Sequence, residues 1–225
     1  MAKKEKKISL REKVYRSICN SMALGRLRHG QMLDQDQICE ELNVSKAPLR
    51  DALIKLEAQG FVSIIPRRGV VVEPITEEYI RNAYDIIGSV EGTCAYKAAT
   101  LITEEDIVRL EELNQAQILA LEEEDYNTYC QLNLEFHQIF LAYSAGDLHD
   151  FVLAPIKQRL YDFPVRSYIK EWELIHLHEH ERLIDSFKKR NPIAAGTIVR
   201  DEHWSFSVHS KFLKQFYPEL IKEDL

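Results

Sequence analysis

Glycine and proline are scarce in this chain, 8 and 7 among 225 residues, and of the glycines only Gly88, Gly92, Gly146 and Gly196 fall beyond residue 73. Few residues are therefore available to interrupt helices there, and no stretch in that region alternates apolar with polar residues as a half-buried strand would. Cysteine is equally sparse. Cys19, Cys39, Cys94 and Cys130 stand far apart with no C-x-x-C pair, which argues against a disulfide framework, a zinc finger or a redox dithiol. No apolar run reaches the roughly 18 residues that bridge a bilayer. The lysine-rich start "MAKKEKKISLREK" leads into charge rather than into the apolar core of a signal peptide. A cytoplasmic protein without a membrane partner is expected. There is no internal repeat, and no low-complexity tract beyond the first lysines.

What is present is 45% apolar residues, enough for one large core or two small ones, and a net charge of -7 that is unevenly spread. Residues 1–73 carry 14 Lys+Arg against 9 Asp+Glu, whereas residues 74–225 carry 15 against 27. Opposite fields in the two parts suggest two domains with different partners. The boundary is expected at "VEPITEE", where Pro74 breaks the chain and Thr76 can cap a helix that opens with Glu77 and Glu78. That gives domains 1–73 and 74–225.

In the first part, Leu10, Val14, Ile18 and Met22 recur at helical spacing, and Gly25 lies where a C-cap would fall. Asp34 can cap a short second helix carrying Ile38 and Leu42. Ser45 can cap a third, with Pro48 in its first turn and Leu49, Ala52, Leu53 and Leu56 as its buried stripe. With that stripe inward, Lys46 and Arg50 lie one turn apart on the outer side, near the positive end of the helix dipole. After Gly60, the β-branched runs "FVSII" and "GVVVE" joined by "PRR" read as a hairpin with a basic tip. Three helices and a basic hairpin make a winged helix-turn-helix, whose third helix enters the major groove of double-stranded DNA while the wing follows backbone or minor groove.

The same residues resemble the GntR family of transcription regulators. "VSKAPLRDALIKLEAQGFV" followed by "RRG" matches that family's signature nearly position for position, and the likeness covers Leu10 to about Val72. It implies a DNA-contacting set of Ser45, Lys46, Arg50, Arg67, Arg68 and Gly69. A common form of the motif has Arg-Thr where this chain has Lys46-Ala47, and lysine lacks the planar fork with which arginine grips guanine.

The second part reads as an all-α antiparallel bundle of six or seven helices, so the fold class is mainly α. Candidate helices run from Glu77 to Thr100, Glu104 to Glu123, Asp125 to Ser144, Leu148 to Asp162, Glu171 to Lys189 and Pro192 to Phe216, with a break at "YDFPV" among others. Three of them carry polar residues on their apolar stripes. Asn133 and His137 fall among Tyr126, Tyr129, Cys130, Phe136, Phe140 and Leu141. His180 falls among Leu177, Leu183, Ile184 and Phe187, whereas His178 sits with Glu181 and Asp185 on the wet side. His203 continues the line of Ala195, Val199, Phe206 and Leu213. Four inward donors on three helices can meet around one divalent ion, or each histidine can be a hydrogen-bonded core residue.

This part resembles the FCD effector-binding domain of the FadR-like branch of the same family, across most of Ile75 to Phe216. "LEFHQIF" and "HERLIDSF" carry the match. The resemblance implies that Asn133, His137, His180 and His203 hold a metal ion, with zinc the first choice and nickel or manganese as alternatives. It also implies a homodimer on a roughly twofold operator, and repression relieved by a small organic acid. Asn133 brings no charge where an aspartate would, so an anionic effector can complete the site, with Arg159 and Arg200 as candidate helpers. Gly88 stands where the family often has an arginine, three residues before Glu91. Two other functions remain open at this point. A metal-dependent hydrolase would need a buried general base, for which the sequence offers no well-placed carboxylate, and an architectural DNA-binding protein would carry a purely structural bundle.

Overall fold

A computed structural model describes residues 8–144, 146–161 and 168–217. They divide into two compact units. The first holds residues up to Thr76 together with residues 155–161, and the second holds residues 77–154 and those from 168 on.

In the first unit, α1 (Leu10–Ala23) is capped by Ser9, whose hydroxyl accepts from the Glu12 amide at 3.2 Å. Gly25 follows its end with φ of 67°, a left-handed turn that suits glycine. Helix α2 (Gln35–Leu42) starts on Asp34, whose Oδ1 accepts from the amides of Asp36 and Gln37 at 3.0 and 2.9 Å. Left-handed Asn43 ends it and leads into α3 (Lys46–Ala58). Strands β1 (Val62–Ile65) and β2 (Gly69–Val72) pair antiparallel from Val62↔Val72 to Ile65↔Gly69. A single bridge from Met32 to Val71 adds a further rung, with the Leu33 amide 2.8 Å from the Val70 carbonyl.

Val14, Ile18, Met22, Leu49, Leu53, Leu56, Phe61, Val62, Val70 and Val72 form the core of this unit. Leu10, expected to open the buried stripe, is exposed. It is the first residue of α1, and the buried face starts one turn later at Val14, where Tyr15 and Cys19 widen it. Residues after Pro155 complete the unit. The Tyr15 hydroxyl lies 2.9 Å from Gln158 Oε1, and Arg159 donates to the Pro74 carbonyl at 3.0 Å.

The second unit is all-helical among the described residues: α4 (Glu77–Leu101), α5 (Glu104–Glu122), α6 (Tyr126–Leu141), α7 (Asp147–Tyr161, whose end passes into the first unit), α8 (Lys170–Lys188), α9 (Pro192–Thr197) and α10 (Phe206–Phe216). The expected end of α7 at Asp162 and the break at "YDFPV" fall outside the described residues, Tyr161 excepted. Helix α5 lies against α6 and α8, while α4 lies against α9 and the turn that follows it. The single last helix expected from Pro192 to Phe216 is in fact broken. Ile198–His203 is a π-helical turn, closed by the Trp204 amide reaching the carbonyl of Val199, five residues back, at 3.0 Å. Ser205 then caps α10. Room for it is made in α4, where Gly88 and Gly92 leave backbone bare. A Cβ at Gly88 would stand 2.9 Å from Trp204 Cβ and 3.1 Å from the Arg200 carbonyl, and one at Gly92 would stand 2.8 Å from Arg200 Cβ. The widened turn is accommodated only because both are glycine.

Candidate nucleic-acid interface and metal centre

Helix α3 presents Lys46 and Arg50 to solvent, one turn apart, as its buried face of Leu49, Ala52, Leu53 and Leu56 requires. Lys46 Nζ sits 2.5 Å from Asp36 Oδ1, and that carboxylate raises the lysine's pKa. Ser45 precedes the helix as its cap residue without a side-chain hydrogen bond to it. At the wing tip Arg67 and Arg68 are exposed, and the turn is closed by the Arg68 amide on the Ile65 carbonyl at 3.0 Å. Arg67 and Gly69 both have positive φ, 62° and 124°. At Gly69 a side chain would also meet Met32 Cε at 2.7 Å. Lys46 and Arg50 thus stand at the N-terminal end of a solvent-facing helix, and Arg67 and Arg68 cap the hairpin.

In the helical unit His137 of α6, His180 of α8 and His203 of the π turn come together. Their rings lie 5.0 to 5.4 Å apart, and one nitrogen from each lies within 4.8 Å of the other two. All three are buried, His180 to 1% exposure. Burial, reinforced by the neighbouring histidines, holds the pKa of His180 and of His203 well below the ordinary imidazole value. The rings are therefore neutral and keep a lone pair for a cation. Both nitrogens of His180, Nδ1 of His137 and Oδ1 of Asn133 are buried without a hydrogen-bond partner among the described residues. Buried polar atoms are nearly always bonded, so four orphans gathered from α6 and α8 fit a divalent ion that would satisfy them. Asn133 lies one helical turn before His137 on the same face of α6.

The structure supplies the buried carboxylates that the sequence did not reveal. Glu91 is 0% exposed, accepts from Trp204 Nε1 at 2.8 Å and lies 3.3 Å from His137 Nδ1. Glu179 is buried, and its Oε2 lies 2.8 Å from His203 Nδ1. Burial pushes the Glu179 carboxyl above the usual carboxylate range, against the pull of His176. A second group, His176, Glu179 and His203, also gathers within 4.8 Å. His209 is fully buried and is held on both sides. Its Nδ1 accepts from Trp172 Nε1 at 3.0 Å, which leaves Nε2–H to donate to the Glu202 carbonyl at 2.9 Å. Burial lowers its pKa to about 4. The trace of these groups in the sequence is that His176 and Glu179, three residues apart on α8, both precede His180, His176 by one helical turn.

The two arginines considered as helpers are placed elsewhere. Arg200 is exposed, and its Nε and Nη2 each lie 2.7 Å from the carboxylate of Asp201, in a surface hollow with Arg81, Asp85 and Ser89. Arg159 belongs to the first unit, where it is buried beside Gly60 and Pro74. The Arg200 guanidinium is turned to Asp201 rather than to the histidines.

Residues 82–203, which include Asn133, His137, His180 and His203, match the family described as "FCD domain". Residues 10–72 match "Bacterial regulatory proteins, gntR family". The HTH-type transcriptional repressor RspR of Escherichia coli (strain K12) is 30% identical over 128 residues, 57% of this chain and 56% of that protein. The Exu regulon transcriptional regulator of the same organism is 26% identical over 186 residues, 74% of this chain and 66% of that protein. The chain thus spans about half to two thirds of the length of these relatives. Among solved structures, E. coli McbR/YncC shares the fold with a TM-score of 0.68 at 18% identity, over 93% of this chain and 99% of that one. No described helix is long and apolar enough to cross a membrane. Matched by one family over its winged domain and by the other over more than half its length, this chain belongs to the FCD-domain branch of the bacterial gntR family of regulatory proteins.

Proposed function

We propose that this chain is a cytoplasmic DNA-binding transcription regulator that grips a twofold operator as a homodimer and responds to a small organic acid at a metal centre in its helical unit. Ser45, Lys46 and Arg50 face the major groove, and Arg67, Arg68 and Gly69 follow the backbone from the wing. Asn133, His137, His180 and His203 hold a divalent ion, zinc first because imidazole suits it. When bound, the ion supplies a positive charge with coordination positions open to an anion. The chain's own residues do the rest. As ligands, three imidazoles and an amide bring no negative charge to the ion directly, so the site favours an acidic ligand. Phe136, stacked on His180 with ring centroids 4.0 Å apart, keeps water from one side of it. Repression is the favoured direction, supported by the name of the relative RspR.

The observation that carries this reading is the set of orphaned buried atoms on Asn133, His137 and His180. It is tested by selecting bound fragments from genomic DNA, then measuring their affinity by anisotropy with and without zinc, alone and with a panel of small carboxylic acids. A change in affinity that requires zinc and acid together is expected. Affinity indifferent to both would refute the sensing function while leaving the DNA-binding function standing.

A further inference from the structure

His203 belongs to both histidine clusters, yet each of its nitrogens serves one purpose at a time. Its Nδ1 is 2.8 Å from Glu179 Oε2. When that nitrogen donates to a carboxylate it carries the ring proton, and the lone pair is left on Nε2. A cation in the cluster of His176, Glu179 and His203 would meet a carboxylate and an imidazole already paired with one another. Other neighbours of Glu179 are engaged elsewhere. His209 is satisfied by Trp172 and the Glu202 carbonyl, and His176 Nδ1 lies 3.3 Å from Glu173 Oε2. His180, by contrast, is held by no hydrogen bond on either nitrogen among the described residues. A carboxylate behind an imidazole fixes its tautomer and orientation and makes its far nitrogen a better donor to a cation.

We propose that Glu179 is the positioning residue of the three-histidine centre: it holds His203 by Nδ1, turns Nε2 toward His137 and His180, and supplies from behind the ligands the negative charge that Asn133 lacks. This rests on the reading of Asn133, His137, His180 and His203 as a metal site. It explains how a site with a neutral amide in its ligand set still neutralises part of the charge of a divalent ion.

The test titrates zinc and cobalt(II) into chelator-stripped full-length protein against a chromophoric competitor, for wild type, Glu179→Gln, Glu179→Ala and Glu179→Gln combined with Asn133→Asp. Glu179→Gln keeps an acceptor for His203 but loses the charge. It should weaken both ions by about 10- to 100-fold, Glu179→Ala should weaken them further and alter the cobalt absorption, and Asn133→Asp should recover the loss. Metal-free Glu179→Gln, which keeps the acceptor, should melt with wild type. Wild-type affinity in Glu179→Gln overturns the assignment, and so does a loss matched by an equal fall in metal-free stability. Wild type that binds neither ion overturns the metal centre itself and this role with it.

Discussion

Gly92→Ala makes a test in which two physical effects predict opposite signs. In an ordinary helix interior, alanine is favoured over glycine by about 0.8 to 1 kcal/mol. At this position the new Cβ would stand 2.8 Å from Arg200 Cβ and 3.0 Å from the Gly196 carbonyl oxygen. Neither obstacle is the end of a flexible side chain, so α4 and the segment carrying α9 and the π turn must part by several tenths of an ångström. Overpacking of this kind costs about 1 to 3 kcal/mol. With two contacts this short the upper half of that range applies, leaving a net destabilisation of about 1 to 2 kcal/mol, or a melting temperature lower by roughly 3 to 6 °C. The π turn also carries His203, so the same separation should weaken zinc binding. Thermal melting and zinc titration of the variant check both. A variant that melts higher than wild type, as helix propensity alone predicts, would refute the close approach and the account of the π turn built on it.

Arg50→Ala should weaken operator binding by about 1 to 3 kcal/mol if the guanidinium reads a base, with the melting of the helical unit unchanged, as fluorescence anisotropy and calorimetry would show. Arg67→Ala and Arg68→Ala should weaken operator and random DNA alike, each lowering the salt slope of binding by about one unit. In metal-free protein, stability should fall steeply as pH drops below 6.5, the ordinary histidine value. His180, His203 and His209 stay neutral in the folded state but take up protons when unfolded, so the unfolded state binds more protons there. Glu179, raised by burial, opposes this by up to one proton. Two to three net protons give a slope of roughly 3 to 4 kcal/mol per pH unit, and the His209 share ends near pH 4, about where that ring itself protonates. Denaturant melts between pH 7 and 5 in the presence of chelator measure it, and a flat profile would contradict the buried neutral rings.

The parts legible in the sequence are those governed by periodicity. The stripes of α1, α3, α6 and α8, the basic hairpin, and the inward placement of His137 and His180 all follow from which residues recur every turn. The π turn does not. Its one-residue widening is accommodated by the glycines of a distant helix, and it gives Trp204, next to the inward His203 that the stripe did predict, an inward role as donor to Glu91. Glu179 was hidden for a related reason: a glutamate beside a buried histidine reads as solvent-facing until α10 and the π turn cover it. Arg200 shows the converse. Three residues from His203 it looks like a neighbour of the site, but its guanidinium turns outward to Asp201.

Metal stoichiometry addresses the central claim most directly. Wild type and His180→Ala, stripped, reloaded with zinc, desalted and shown to have the same helical content by circular dichroism, are assayed by elemental analysis. One zinc per chain in wild type and none in His180→Ala is the predicted result. A wild type that stays empty, or a variant that keeps its ion, would contradict the centre at Asn133, His137, His180 and His203.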